Sequence, residues 1–328
     1  MSVETSEAVE LAATKRRARV SALFNLTLLI LLGLLWVVLA FSTKTFFTWT
    51  NIPNLLRQGS MIAILAIGET FVIITAGIDL SVGAIVGFTS VIVAWLLTHG
   101  FPIFPAVLIT LVVGFVIGIF HAFGITSLGL PPFIMTLATM TALRGIGLLI
   151  TNGATISVTN GSFTDFSIGY FLHPILPNLF LMVLLVGFPS YIFLHHTRFG
   201  RYLFAVGSNM EAARLSGVNT RGMIYIAYTL SAVTAAFVGV LLASRIGIGI
   251  ATQADGWELQ AIASSVIGGT SLFGAIGSAY GPVLGSFILT TINNGANLLN
   301  VNAFWQRVIT GALIIVIVYF DGLRRKRI

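Results

Sequence analysis

Long apolar runs separated by short polar breaks organise this chain from end to end. Positions 80–143 and 259–306 contain no Asp, Glu, Lys or Arg, and charge-free stretches of that length fit lipid as the solvent. A helix needs about 20 apolar residues to cross a hydrocarbon core of about 30 Å. Hydropathy and helix breakers then place ten spans, near 21–41, 57–76, 81–98, 103–124, 131–151, 175–195, 222–243, 258–273, 278–299 and 303–320. The span at 258–273 is short and rich in Gly and Ser, and reads either as a crossing or as a re-entrant helix. The expected fold class is all-α: a polytopic membrane protein with an N-terminal tail at 1–20, a transmembrane unit at 21–320 and a basic tail at 321–328.

Composition sharpens this. Of 328 residues, 57% are hydrophobic and 8% charged, with a mean hydropathy of +1.01, against roughly 25% charged in an ordinary soluble domain. A water-soluble globule is excluded, and no large soluble domain fits between the spans. The uncharged run from Val20 to Thr43 is too long for a signal-peptide core and reads as a retained first span. The net charge of +7 lies in short clusters beside apolar runs, where Lys and Arg set orientation; the expected partner surface is membrane lipid, not nucleic acid. Ten spans put both termini and the loop 196–221 on one side. That side holds twelve of the 17 basic residues: Lys15, Arg16, Arg17, Arg19, Arg198, Arg201, Arg214, Arg221, Arg324, Arg325, Lys326 and Arg327. It is predicted to be cytoplasmic. Reporter fusions after Ile328 and within 198–221 are therefore expected to read cytoplasmic and a fusion at Ser162 external; a cytoplasmic reading at Ser162 overturns the ten-span layout.

The chemistry available is limited. There is no Cys, so disulfides, thiolate catalysis and Cys-ligated metals are absent. Neither G-x-S-x-G nor a Gly-Lys-Ser/Thr phosphate loop occurs. Adjacent His195 and His196 on a helix would point about 100° apart, a poor metal pair. No catalytic residue and no metal site is expected. Glu69, Asp79 and Arg144 lie within or beside spans, where ionisable groups are costly and are functional candidates by default. Asp79 sits where one span ends and the next begins; it reads as a cap for the next helix, as a gate, or as both. Glu69 reads as a proton carrier, a solute acceptor or a buried partner of Arg144.

Asn293, Asn294 and Asn297 share one span, and Phe133 follows the helix-breaking Pro131-Pro132. These four are candidates to line a path for a polyhydroxyl solute, because amides donate and accept hydrogen bonds and aromatic rings contact apolar sugar faces. The same amides also suit hydrogen bonding between helices. Glycines four apart (Gly83/Gly87, Gly114/Gly118, Gly277/Gly281/Gly285) make smooth faces for close backbone approach. A self-match relates Ile67-Gly68-Glu69-Thr70 and Gly77 to Ile267-Gly268-Gly269-Thr270 and Gly277. The external loop 152–174 is polar and turn-rich, suited to a protein landing surface or to a solvated connector. In the loop 196–221, Ser208 and Glu211 have the spacing of a capping box, and Gly217 is placed to close the helix. A two-turn helix over 209–216 is predicted, with small Ala212 and Ala213 beside Leu215 shaped to fit a groove and Glu211 and Arg214 fixing its register.

Several stretches together resemble the permease subunits of bacterial sugar ABC importers, the ribose-type branch of the ribose and branched-chain amino acid permease family. They are Gly68 to Gly83 with its Gly77-Ile78-Asp79-Leu80-Ser81-Val82-Gly83; Pro132 to Leu137 with Arg144-Gly145; Thr197 to Arg201 continuing through Ala205 to Asn209 and Ala212 to Val218; and Glu258 to Ala263 with Val266-Ile267-Gly268-Gly269-Thr270-Ser271-Leu272. The likeness runs from about residue 50 to the C-terminus. It implies a multi-pass subunit of the bacterial cytoplasmic (inner) membrane that pairs with a second permease subunit around a translocation path. It also implies a cytoplasmic ABC ATPase, which holds ATP and Mg so that this chain needs no cofactor, and an extracytoplasmic sugar-binding protein. By the same resemblance the loop 196–221 carries the coupling helix, with Ser208, Asn209, Glu211, Ala212, Ala213, Arg214, Leu215 and Gly217 meeting the ATPase. Gln260 stands where the family often has Asp, and Gly274-Ala275 where it often has a glycine pair; both bear on the solute. The rival readings are an ion-coupled secondary transporter using Glu69 or Asp79, an ABC permease for a non-sugar solute, and an intramembrane enzyme, for which no dyad is found.

Overall fold

The computed structural model describes residues 26–172, 174 and 176–325; the expected tail 1–20, the start of the first span and residues 326–328 of the basic tail lie outside the described residues. Each of the ten expected spans contains one helix: α1 (Leu26–Ser42), α2 (Asn51–Ile74), α3 (Val82–Thr98), α4 (Ile103–Thr126), α5 (Pro132–Thr151), α7 (Asn178–His196), α10 (Thr220–Ile246), α11 (Trp257–Ile267), α12 (Gly281–Leu298) and α13 (Ala303–Arg325). Three further helices lie between spans: α6 (Gly161–Ile168), α8 (Arg198–Ser208) and α9 (Met210–Leu215). The strands are two antiparallel pairs of two or three residues each, β1 (Ile156–Ser157) with β4 (Ile248–Gly249) and β2 (Tyr170–Leu172) with β3 (Leu176–Pro177).

α2 is the central helix, apolar all round and buried from Ser60 to Ile74, with α7, α10, α11 and α12 packed against it. α10 lies between α2, α3 and α4. The outer helices α4, α5, α7 and α13 leave large apolar side chains bare, such as Phe104, Val112, Val116 and Phe120 on α4, as a surface wetted by lipid requires. Glycine spacing explains the close contacts. A Cβ on Gly114 would lie 2.5 Å from Ala236 Cβ, and one on Gly118 would lie 2.5 Å from Thr229 Cα, so α4 and α10 touch nearly backbone to backbone. The Gly83/Gly87 face receives a turn segment together with the Glu258 side chain of α11. The turns over 250–254 lie along α3, the Ala254 carbonyl 2.6 Å from the place a Gly83 Cβ would occupy and the Ala251 carbonyl 2.5 Å from that of Gly87.

The stretch 258–273 is helical only in part. α11 has 11 residues, a rise of about 16 Å, too short to cross a bilayer alone. Turns along α3 precede it and the loop 268–280 follows it, whose Ala275 N–H donates to the carbonyl of Ile74 at the C-terminal end of α2 (3.0 Å). Irregular backbone at membrane depth persists only where protein or a water-filled path surrounds it. The loop 152–174 is a folded cap, not a solvated connector: Ser244 Oγ donates to Phe163 O (2.5 Å), Ser167 Oγ donates to Leu241 O (3.2 Å), and Arg57 of α2 donates to Ile168 O and lies over the Tyr170 ring at 4.7 Å.

Candidate functional site

The connection between α2 and α3 is the second broken element. Thr75 and Gly77 close α2 through bonds to Val72 O, with Ala76 in the left-handed region (φ 61°). Gly77 is required because a Cβ there would lie 2.5 Å from the Tyr228 hydroxyl of α10. The chain then turns back into the bundle, and Asp79 lands beside Glu69. The Asp79 N–H donates to Glu69 Oε1 (3.1 Å); Asp79 Oδ1 accepts from Ser81 N–H (2.9 Å) and Ser81 Oγ (2.5 Å); Asp79 Oδ2 accepts from Ser231 Oγ of α10 (3.0 Å) and lies 3.9 Å from Nδ1 of His121 on α4. Glu69, Asp79, Ser81, His121, Tyr228 and Ser231 are all fully buried. The Leu80 N–H donates to Thr136 Oγ1 of α5 (3.1 Å), so the short segment 75–81 is tied to four helices.

Two expectations are corrected here. Asp79 does not cap α3: its oxygens meet Ser81, which precedes the helix, and α10, while the α3 N-terminus has no side-chain cap. Glu69 is not the partner of Arg144, whose Nη1 donates instead to Ala251 O (2.8 Å) and Gln253 O (2.6 Å), holding the turns at 251–253 against α5. Sequence reasoning does not single out His121, Tyr228 and Ser231 as members of this cluster. Their signals are a lone His three residues from Gly118 and a Tyr/Ser pair at helical spacing inside an otherwise apolar span.

At the same end of α2 stand α8 and α9. Thr197 caps α8 by accepting from Gly200 N–H (3.2 Å). Ser208 does not cap α9, because it is the last residue of α8; Asn209 caps it, its Oδ1 accepting from Ala212 N–H (2.9 Å). Gly217 (φ 83°) closes α9 as expected, with Gly217 N–H bonded to Arg214 O and Val218 N–H to Ala213 O, both at 3.0 Å. Arg214 Nη2 and Glu211 Oε1 form an exposed ion pair at 2.7 Å; the hydrogen bond and charge of Arg214 hold the Glu211 carboxyl below its ordinary range. Ala213 does not face outward with Leu215. It is buried in one apolar cluster with Leu203, Val206, Met223 and Ile224, while Met210, Ala212 and Leu215 are exposed.

The end of α8 meets both broken elements. Gly207 packs against the main chain of Ile74, and Gly274 of the loop 268–280 lies between Gly207 and Ala76, with no room for a side chain on Gly207. A cavity of about 300 Å³ opens between Thr75, Ala76, Gly77 and Pro132 on one side and Val206 to Met210 on the other. The end of α8 is thus in direct contact with the neighbourhood of both 75–81 and 268–280. Below them, Thr70 Oγ1 of α2 donates to Ser265 Oγ of α11 (3.2 Å).

The four candidate path residues do not converge. Phe133 is half-exposed on α5, next to Pro132 at the α8–α9 end. Asn294 lies at the opposite end of α2, exchanging amide hydrogen bonds with Asn51 (2.8 and 3.1 Å), and Asn297 Oδ1 accepts from Gln306 Nε2 (2.7 Å). Asn293 is partly buried and Asn297 exposed. Among the described residues no group of three or more His, Asp or Glu side chains is arranged to hold a metal ion.

The family model for the branched-chain amino acid transport system / permease component matches residues 51–318. The chain is 37% identical over 320 residues to a probable ABC transporter permease protein, y4mJ, of Sinorhizobium fredii, covering 96% of this chain and 95% of the relative. It is 39% identical over 292 residues to the ribose import permease protein RbsC of Bacillus subtilis, covering 88% and 90%. Against the xylose transport system permease protein XylH of Escherichia coli it is 33% identical over 356 aligned residues, covering 86% and 89%. No solved structure matches the chain.

Proposed function

The chain belongs to the family of the branched-chain amino acid transport system / permease component, and we propose from that premise that it carries a sugar inward across the membrane, driven by a separate cytoplasmic ATPase. It is a permease subunit of an ABC importer, a multi-pass protein of the bacterial inner membrane, and its role is transport and not catalysis. A pentose or similar sugar is the proposed solute, since similar chains are named for ribose and xylose import. The proposed partners are a second permease subunit completing the path, an extracytoplasmic binding protein landing on the folded cap 152–174, and the ATPase, which supplies ATP and Mg so that this chain needs none. Both termini and α8–α9 are placed in the cytoplasm, where the basic residues gather.

One observation supports this reading most: a rigidly capped helix pair at the basic side presents Met210, Glu211, Arg214 and Leu215 outward while its root at Gly207 abuts both broken elements of the membrane unit. A surface of that kind converts an external push into movement at the path. Phe133 is assigned to the cytoplasmic end of the path and Asn293, Asn294 and Asn297 to the outer end. The test is uptake of labelled ribose and xylose into proteoliposomes holding the chain, its partner ABC ATPase and its binding protein. Uptake is expected to require ATP hydrolysis, and the Asn293→Ala/Asn297→Ala double variant is expected to lower it severalfold while the binding protein's affinity for sugar stays unchanged. Uptake driven by an ion gradient without the ATPase would overturn the ABC reading, and normal uptake by the double variant would move the outer end of the path elsewhere.

A further inference from the structure

The buried cluster around Asp79 has no role in the scheme above. Carboxyl groups inside a membrane protein are expensive, and surrounding them with hydroxyls and an imidazole ring offsets only part of that cost. Glu69 Oε2 has no hydrogen-bond partner among the described residues, so the cluster is a poor device for stability alone. Its placement is what distinguishes it. On one side of the segment 75–81 lie Glu69, His121 and Ser231, filling the space between α2, α4 and α10, with Tyr228 reaching from there to the cavity wall. On the other side lies the cavity of about 300 Å³ shared with Val206 to Met210. The segment is therefore held from within by a few single-atom bonds and has room to move on the face that α8 pushes.

We propose that Asp79 and Ser231 are positioning residues for transport: the bond from Ser231 Oγ to Asp79 Oδ2 latches the segment 75–81 to α10 in its resting place, and displacement of α8–α9 releases it into the adjoining cavity. The latch joins a local turn to a long-range partner through one carboxylate. Asp79 Oδ1 is committed to Ser81 within the segment, and Oδ2 alone reaches α10. The other hydrogen bonds of the turn to its surroundings are Asp79 N–H to Glu69, Leu80 N–H to Thr136 and Thr136 Oγ1 to Ile78 O, all to main-chain atoms of the turn, so loss of the Oδ2 bond leaves the turn intact while removing its carboxylate bond to α10. The release step rests on the reading of α8–α9 as the coupling element; the latch itself does not.

The absence of Cys makes a direct test possible in membranes holding the full chain, with no ATPase or solute needed. Thr75→Cys places a reporter thiol in the segment at a residue that lines the cavity and is now buried, and Ser90→Cys places a control thiol at a buried position of α3 away from the latch. Adding Ser231→Ala is expected to raise the rate of N-ethylmaleimide modification of the reporter in the Thr75→Cys protein at least tenfold and to leave that of the control in the Ser90→Cys protein within twofold. An unchanged rate at the segment reporter overturns the latch, and an equal rise at both thiols overturns it too, because the bond then merely holds the fold. In the assembled transporter, tested with whichever of ribose or xylose the parent protein carries, Ser231→Ala is expected to keep ATP hydrolysis and to lose at least fivefold in solute carried per ATP. Equal losses of hydrolysis and uptake overturn the positioning role. Failure of the parent protein itself to carry either sugar would count against the function proposed above and leave the thiol-labelling result standing.

Discussion

Replacing Leu215 with Asp is expected to leave the chain inserted and folded while abolishing its association with the ATPase and lowering uptake more than tenfold. Leu215 is 77% exposed at the end of α9. A lone bare Leu on a protein surface means little, but this one cannot turn inward. Asn209 and Gly217 fix the two ends of α9, and Ala213, on its other face, is seated among Leu203, Val206, Met223 and Ile224. Leu215 and Met210 are thus held out to water beside the Glu211–Arg214 pair, an apolar contact rimmed by charge. Loss of such an anchor in an interface costs about 2 kcal/mol or more, roughly thirtyfold in affinity, and a charge in its place adds desolvation. At an exposed position the effect on the isolated permease is within about 0.5 kcal/mol. Co-purification of the ATPase and membrane content of the variant check both halves, and undiminished co-purification would remove α9 from the docking surface. Ala213→Trp would be a poor probe of the same idea, since Ala213 is 6% exposed and its replacement would damage the permease itself.

The ten helices were legible because lipid leaves hydropathy and charge nearly sufficient to place a span, and the observed ends agree closely for most. What escaped was whatever depends on a distant partner. The Gly83/Gly87 face announced close approach, but nothing local says that the approaching chain is a run of turns over 250–254 and not the face of another long helix. Charge complementarity suggested Glu69 with Arg144; the fold instead gives Glu69 a main-chain N–H from a turn that re-enters the bundle, and gives Arg144 two carbonyls. The displaced cap has a similar origin. Ser208 and Asn209 are both good caps, and the choice falls to Asn209 because α8 extends through Ser208. That helix carried its own signal, Gly200, Leu203 and Val206 buried at intervals of three, obscured by Arg198 and Arg201, which read as loop charges.

Broken elements and glycine contacts place opposite demands on this fold. Segments 75–81, 247–256 and 268–280 give up helical hydrogen bonds between the packed helices, which is tolerable only if the helices around them are fixed. The contact between α4 and α10 supplies much of that fixity, since α10 in turn carries Ser231 and Tyr228 against the segment 75–81.

Gly118→Val is therefore expected to be among the most damaging single changes in the chain. A Cβ at Gly118 would lie 2.5 Å from Thr229 Cα, 2.7 Å from Tyr228 O and 3.0 Å from Thr229 N. All three are main-chain atoms of α10, so no side chain can rotate out of the way. α10 is backed by α2 and α3, whereas the outer side of α4 is bare, so relief comes from α4 moving outward. In lipid, helices have no hydrophobic drive to close such a gap, and their association rests on packing; a separation of about 0.5–1 Å forfeits about a quarter to a half of each contact. His121, one turn along α4, would be drawn away from Asp79 and Tyr228. Overpacking of this kind costs about 3 kcal/mol, against a total stability of about 5–15 kcal/mol. Membrane content and the detergent melting temperature are expected to fall sharply for Gly118→Val and to stay near the parent values for Gly33→Val on α1, where an added Cβ meets nothing within 4 Å. Equal behaviour of the two variants would show that α4 and α10 are not in contact at Gly118 in the membrane.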